Sequence, residues 1–177
     1  MKETLLELYG HQAWADAEHW RALSSHPPSL SDGAIRERLH HLHIVQRAFL
    51  SIVSGTRPSF IRLEDFKEIS DLKGYARDYH RDALAFLEGL TEAGLAKEVS
   101  IPWFKDPPIT ITTAQALLHS AMHSQSHRGQ NAVRLRETGG KAPATDLIMW
   151  YWRGRPSPDW GAAAPSGSTD DTLSGER

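Results

Sequence analysis

The feature that most limits how this chain can fold is the spacing of its apolar residues. In four stretches of about twenty residues each they recur at three- and four-residue steps, the period of a helix with one buried face. The first runs from about Lys2 to Leu23 and carries Leu5, Leu6, Tyr9, Ala13, Trp14, Ala17 and Trp20. "SSHPPSLSDG" breaks it. The second runs from about Asp32 to Val53, with Ser31 or Asp32 as N-cap and Ile35, Leu39, Leu42, Gln46, Phe49 and Val53 on one face. "SGTRPS" ends it. The third runs from Leu72 to Leu90 behind Ser70 or Asp71, with Tyr75, Tyr79, Ala83, Phe86 and Leu90 as its stripe. The fourth starts after Thr112, where Thr112 and Gln115 form a capping box, and stops at Gly139-Gly140.

Two shorter pieces complete the pattern. "EVSIPWFKDPPITI" reads as a small hairpin or an irregular turn around Lys105-Asp106-Pro107-Pro108, and "TDLIMWYWRG" as one more short helix. "AAAPSGSTDDTLSGER" is small, polar and aperiodic. The expected architecture is all-α: a four-helix bundle over residues 1–160, with a hairpin or irregular insertion before the fourth helix and a short C-terminal helix, followed by a flexible tail at 161–177.

Composition then narrows the chemistry. With no Cys, thiolate zinc sites, iron–sulfur clusters, disulfides and a nucleophilic Cys are excluded. A net charge of -2 gives no electrostatic case for nucleic acid or a membrane surface. No apolar run approaches the ~20 residues of a membrane span, and "MKETLLELYGHQAWADAEHW" has no apolar core of a signal peptide. A cytoplasmic protein is expected. Ten His in 177 residues direct attention to metal ligation and acid–base chemistry.

"HSQSHRGQ" sets His123 and His127 four residues apart on the fourth helix, one turn along the same face. His119 extends the row by a further turn. At about 100° per residue, the pair points away from an apolar face defined by Ala114, Leu118, Ala121, Gln125 and Ala132, towards a cleft lined by Ala116 and Ser120. Two exposed histidines on a polar face are the bland reading of the same spacing. A metal needs a third ligand, and "LHHLHIV" on the second helix offers His40, His41 and His43. His40 points away from the stripe with Arg36 and Arg47. His41 shares a side with Val45, Ala48 and Ile52, and His43 shares the opposite side with Leu50, so helical phase leaves both open.

Other features have plainer readings. Arg128 reads as a surface ion-pair residue and Gly129 as a site of close helix packing. Glu37-x-x-His40 lacks the second copy and two further Glu that a di-iron bundle needs. No phosphate-binding glycine loop and no G-x-S-x-G turn is present. Trp150, Tyr151 and Trp152 read as a seal on the core or on a dimer interface, and Trp103 as a residue able to line a cleft mouth.

These segments together resemble the DinB/YfiT-like family. "HSAMHSQSHRGQNAVRLRETGG" is similar to that family's last bundle helix, "LHHLHIVQRAFL" to its second and "LLELYGHQAWADAEHW" to its first. "APATDLIMWYWRGRP" resembles the C-terminal segment of some members. The resemblance spans about residues 1–160. It implies a DinB-like bundle, often dimeric, in which His41, His123 and His127 bind one divalent metal ion, with Gln46 in the place of an acidic or amide residue. His11 stands where relatives often have Asn.

Three imidazoles leave coordination positions open for water or substrate. Imidazole suits Zn, Ni, Fe and Cu alike, so the ligand set does not select the metal. The implied function is metal-dependent chemistry on a small molecule: transfer or isomerisation with a low-molecular-weight thiol, or hydrolysis. The alternatives are a non-catalytic metal-binding or stress-response homodimer, and a dimeric interaction module whose histidines bind nothing.

Overall fold

The computed structural model describes residues 1–161. The chain is mostly helical, and four long helices dominate: α1 (Lys2–Ser24), α3 (Gly33–Val53), α4 (Ile69–Gly89) and α6 (Thr113–Glu137). Between them lie α2 (Pro27–Ser31), α5 (Glu92–Ala96) and the strands β1 (Glu98–Lys105) and β2 (Pro108–Thr112); α7 (Leu147–Trp152) follows α6. α1 and α3 each pack against both α4 and α6. The expected tail lies outside the described residues apart from Gly161. Among the described residues no helix is long and apolar enough to cross a membrane.

The element boundaries follow local chemistry. Asp32 caps α3, its Oδ1 accepting from the Ile35 amide at 3.0 Å. Thr112 and Gln115 cap α6 reciprocally, at 3.2 Å to the Gln115 amide and 2.8 Å to the Thr112 amide. α6 ends where Gly139 takes φ 92° and the Gly140 amide returns to the Leu135 carbonyl at 2.8 Å. α4 begins earlier than its apolar stripe suggests. Its cap is Glu68 rather than Ser70 or Asp71, and Asp71 serves as the residue that reaches back, accepting from the Glu68 amide at 3.0 Å.

Of the hairpin and the irregular turn expected before the fourth helix, the hairpin forms: Val99 and Ile111 pack onto the core while β1 and β2 pair Glu98 with Thr112, Val99 with Ile111 and Ser100 with Thr110, so the fold is mostly helical with one small antiparallel sheet. "PPSLS" does not merely break a helix. It forms α2, since proline is at home in a first helical turn.

The main core gathers Leu5, Tyr9, Phe49, Tyr79, Leu87 and Leu117, among others, between the long helices. A second cluster holds Trp20, Ile35, Leu39, Leu72 and Leu135. A third seats Trp150 of α7 on Trp14 and Ala15. Gly10 permits that contact: a Cβ there would stand 3.3 Å from the Trp150 ring. Trp150 is therefore a core seal, while Trp152 is 77% exposed. Arg47, expected on the solvent side, instead joins α3 to α4 through a 2.6 Å ion pair with Asp82.

The buried face of α6 also differs from expectation. It comprises Ala116, Leu117, Ser120, Ala121, Ser124, Arg128, Asn131 and Leu135. Ala116 and Ser120 lie within the core rather than along a cleft, and Ala114, Leu118 and Ala132 are only partly covered. Gly129 is exposed, with no atom near the position of an added Cβ, so it serves no close packing.

Candidate metal centre

The neighbouring helices α3 and α6 bring three imidazoles to one place. His123 Nε2 stands 3.2 Å from His41 Nε2 and 3.2 Å from His127 Nε2. One nitrogen from each ring lies within 4.8 Å of the others. Two nitrogens bonded at about 2.0–2.1 Å to a tetrahedral ion stand about 3.3–3.4 Å apart, so the spacing fits a shared cation. The ring centroids are 4.4–5.1 Å apart and tilted rather than stacked. That arrangement lets three lone pairs converge. His41 is exposed and the other two are partly covered.

The electrostatics suit the donor set. Burial, then the neighbouring His127, His41 and His119, push the His123 pKa down to about 4. Burial, then His127 and His40, lower that of His41. Both rings are neutral near pH 7, the state a metal requires. His127 Nδ1 contacts Gln130 Oε1 at 3.0 Å, while His123 Nδ1 is buried without a protein partner.

The choice that helical phase left open is resolved by packing. His43 is buried, 1% exposed. Its Nε2 accepts from Trp20 Nε1 at 3.0 Å and its Nδ1 donates to Gln46 Oε1 at 2.8 Å, which leaves neither nitrogen for a ligand. His40 Nε2 donates to the Ile61 carbonyl at 2.8 Å and ties the loop after α3 to that helix. His119 does extend the row on α6. Its ring centroid lies 6.0 Å from that of His123 and 4.9 Å from that of Phe49, outside the trio. Trp103 of the hairpin stands edge-to-face on Phe49 at 5.4 Å, and Phe60 of the loop after α3 lies 6.4 Å from Trp103, so a row of aromatic rings runs on from His119.

Behind the trio lies a buried polar network whose extent the spacing of the sequence does not reveal. Arg128 is not a surface residue. It is 2% exposed, and its guanidinium bonds Asp16 Oδ1 at 2.6 Å, Gln12 Oε1 at 2.6 Å and Gln125 Oε1 at 2.9 Å. Asp16 Oδ2 accepts from His80 Nε2 at 2.7 Å and from Gln46 Nε2 at 2.9 Å. Gln46 also donates to Ser124 Oγ at 3.1 Å. One carboxylate thus gathers α1, α3, α4 and α6 around itself. Burial alone would raise its pKa; Arg128 and then His80 overcome this and hold it well below the usual carboxylate range. The available signal was Asp16 itself, a charge in the apolar face of the first helix, three residues after Ala13 and four before Trp20. His11 has a structural place as well: it is buried, and its Nε2 donates to the Thr145 carbonyl at 2.8 Å, holding the segment before α7.

Fold and site together define a mostly helical protein whose long helices present three histidine nitrogens as a group able to hold a metal ion. The family assignment agrees: the profile of the DinB family matches residues 1–156, and the chain belongs to that family. No curated protein matches the chain.

Proposed function

We propose that the four long helices form a DinB-type four-helix bundle, that His41, His123 and His127 bind one divalent ion of Zn, Ni or Fe, and that the protein is a metal-dependent enzyme acting on a small molecule. The observation that carries this reading is the convergence of three Nε2 atoms from two helices, with that of His123 standing 3.2 Å from each of the other two. When bound, a divalent ion held by three neutral imidazoles supplies Lewis-acid chemistry at its open positions, on a thiol, a water or a carbonyl.

The chain's own groups do the rest. His41, His123 and His127 supply neutral nitrogens and no net charge. The site therefore suits an anionic thiolate or hydroxide as a further ligand, since a dication with three neutral ligands keeps its full charge. The exposed side of His41 keeps the site open to solvent and substrate. The exposed rings of Trp103 and Phe60, packed outward from the buried Phe49, offer apolar surface for the rest of a substrate. Transfer or isomerisation with a low-molecular-weight thiol, and hydrolysis, are the two reaction classes this arrangement supports.

A cytoplasmic homodimer completes the reading. α7 presents Ile148 and Trp152, four residues apart on one helix face and 70% and 77% exposed, as apolar surface suited to a second copy. Elemental analysis of protein purified without a histidine tag tests the site. We expect about one transition-metal ion per chain in the wild type. A His123→Ala/His127→Ala double variant should lose it with unchanged far-UV circular dichroism, and metal retained at full occupancy in that variant refutes the assignment. Turnover is tested by offering the metal-loaded protein thiols with electrophilic substrates, alongside simple esters and amides. No turnover in either set favours a metal-binding protein without catalysis.

A further inference from the structure

We infer that Gln130 is a positioning residue that holds His127 in the tautomer whose Nε2 is free for a metal; this rests on the three-histidine reading above. A neutral imidazole carries one N–H and one lone pair, and only the nitrogen without hydrogen can ligate. The amide oxygen of Gln130 can only accept. Facing His127 Nδ1 at 3.0 Å, it selects the Nδ1–H form and leaves the Nε2 lone pair directed at His123. The two residues lie three apart on α6, so the contact comes from helix geometry and needs no other element.

The chain uses the same device twice, and the two copies explain each other. On α3, His43 and Gln46 are also three residues apart, and Gln46 Oε1 accepts from His43 Nδ1 at 2.8 Å. There the freed Nε2 is used inside the core, accepting from Trp20 Nε1 at 3.0 Å. On α6 the freed Nε2 has no indole donor; it faces His123 Nε2 instead. A His-x-x-Gln pair thus presents an Nε2 lone pair to whatever stands opposite: an N–H at His43 and a cation at His127. Gln130 gives this to one ligand of the three. His123 Nδ1 is buried with no protein partner, and His41 is exposed.

Long-range proton–nitrogen NMR correlations on metal-free protein, paired with zinc titrations against a chromogenic chelator, test the assignment. The wild type should show His127 as the Nδ1–H tautomer. Gln130 is exposed, so Gln130→Leu should fold normally while losing that tautomer preference and binding zinc about 10–100-fold more weakly. Gln130→Glu, which keeps an acceptor, should restore both. A merely structural Gln130 would move neither the tautomer nor the affinity. An Nε2–H tautomer in the wild type overturns the inference. So does Gln130→Leu binding zinc as tightly as the wild type, and that result leaves the metal site standing. If the wild type binds no zinc, the three-histidine reading fails and the role of Gln130 falls with it.

Discussion

At the residue scale, the informative contrast is between two histidines two positions apart. His41 and His43 flank the same apolar stripe, yet one is exposed beside His123 and the other is buried under Trp20. His41→Ala should abolish stable metal binding and barely change the unfolding free energy, because it removes an exposed ring. His43→Ala should do the reverse. It strips Trp20 and Gln46 of a buried partner and costs about 2–4 kcal/mol in urea unfolding, from lost packing and an orphaned donor, while the bound metal remains. Arg128 gives the sharpest single test. Arg128→Met leaves Asp16 buried with its counter-charge gone, and the expected loss is about 3–5 kcal/mol. A loss under about 1 kcal/mol, the range of exposed pairs, would contradict its buried position. The His123–His127 spacing was legible in the sequence because i and i+4 always share a helix face. The role of Arg128 was not, because an arginine on a helix looks the same whether a carboxylate from another helix awaits it or water does.

At the scale of elements, α3 and α6 matter most, since the candidate site is divided between them. Gln46 links them through Ser124 of α6 and Asp16 of α1. Gln46→Leu keeps volume and removes those bonds. The predicted outcome is a loss of about 1–3 kcal/mol together with weaker zinc binding, because His41 is then held less firmly against the His123–His127 pair. Thr112→Ala is the control. It removes the α6 cap at the far end of the helix, should cost about 1 kcal/mol, and should leave zinc affinity unchanged. If both variants weaken zinc equally, the coupling is nonspecific loosening. Helix extents were legible here because caps and glycine stops are local chemistry. The buried face of α6 was not legible from apolar periodicity, since Ser120, Ser124, Arg128 and Asn131 occupy it. Other helices match two of them, Ser124 through Gln46 and Arg128 through Asp16 and Gln12, while Ser120 Oγ and the Asn131 amide are buried without a protein partner.

For the whole molecule, the buried histidines set a pH limit. Burial first, and Arg128 as a lesser cause, push the pKa of His19 down to about 4; burial first does the same for His43. Unfolded, each would titrate near about 6.5. Between these values the unfolded chain binds more protons, so stability is complete above about pH 6.5 and falls as the pH drops towards about 4, by on the order of 3 kcal/mol per residue. Asp16, held low in the folded state, adds a further loss at more acid pH as its carboxylate is protonated. Urea unfolding of metal-free protein at several pH values measures this, and stability that stays flat between pH 7 and pH 4 would contradict the burial of both rings. The sequence alone determined the four long helices and the pairing of His123 with His127, because periodicity, capping and i,i+4 geometry act over a few residues. Only the tertiary structure decided that His41 joins that pair while His43 is held by Trp20, and that Asp16 and Arg128 meet in the core. Those contacts join residues on different helices, and nothing in local spacing records which faces will be pressed together.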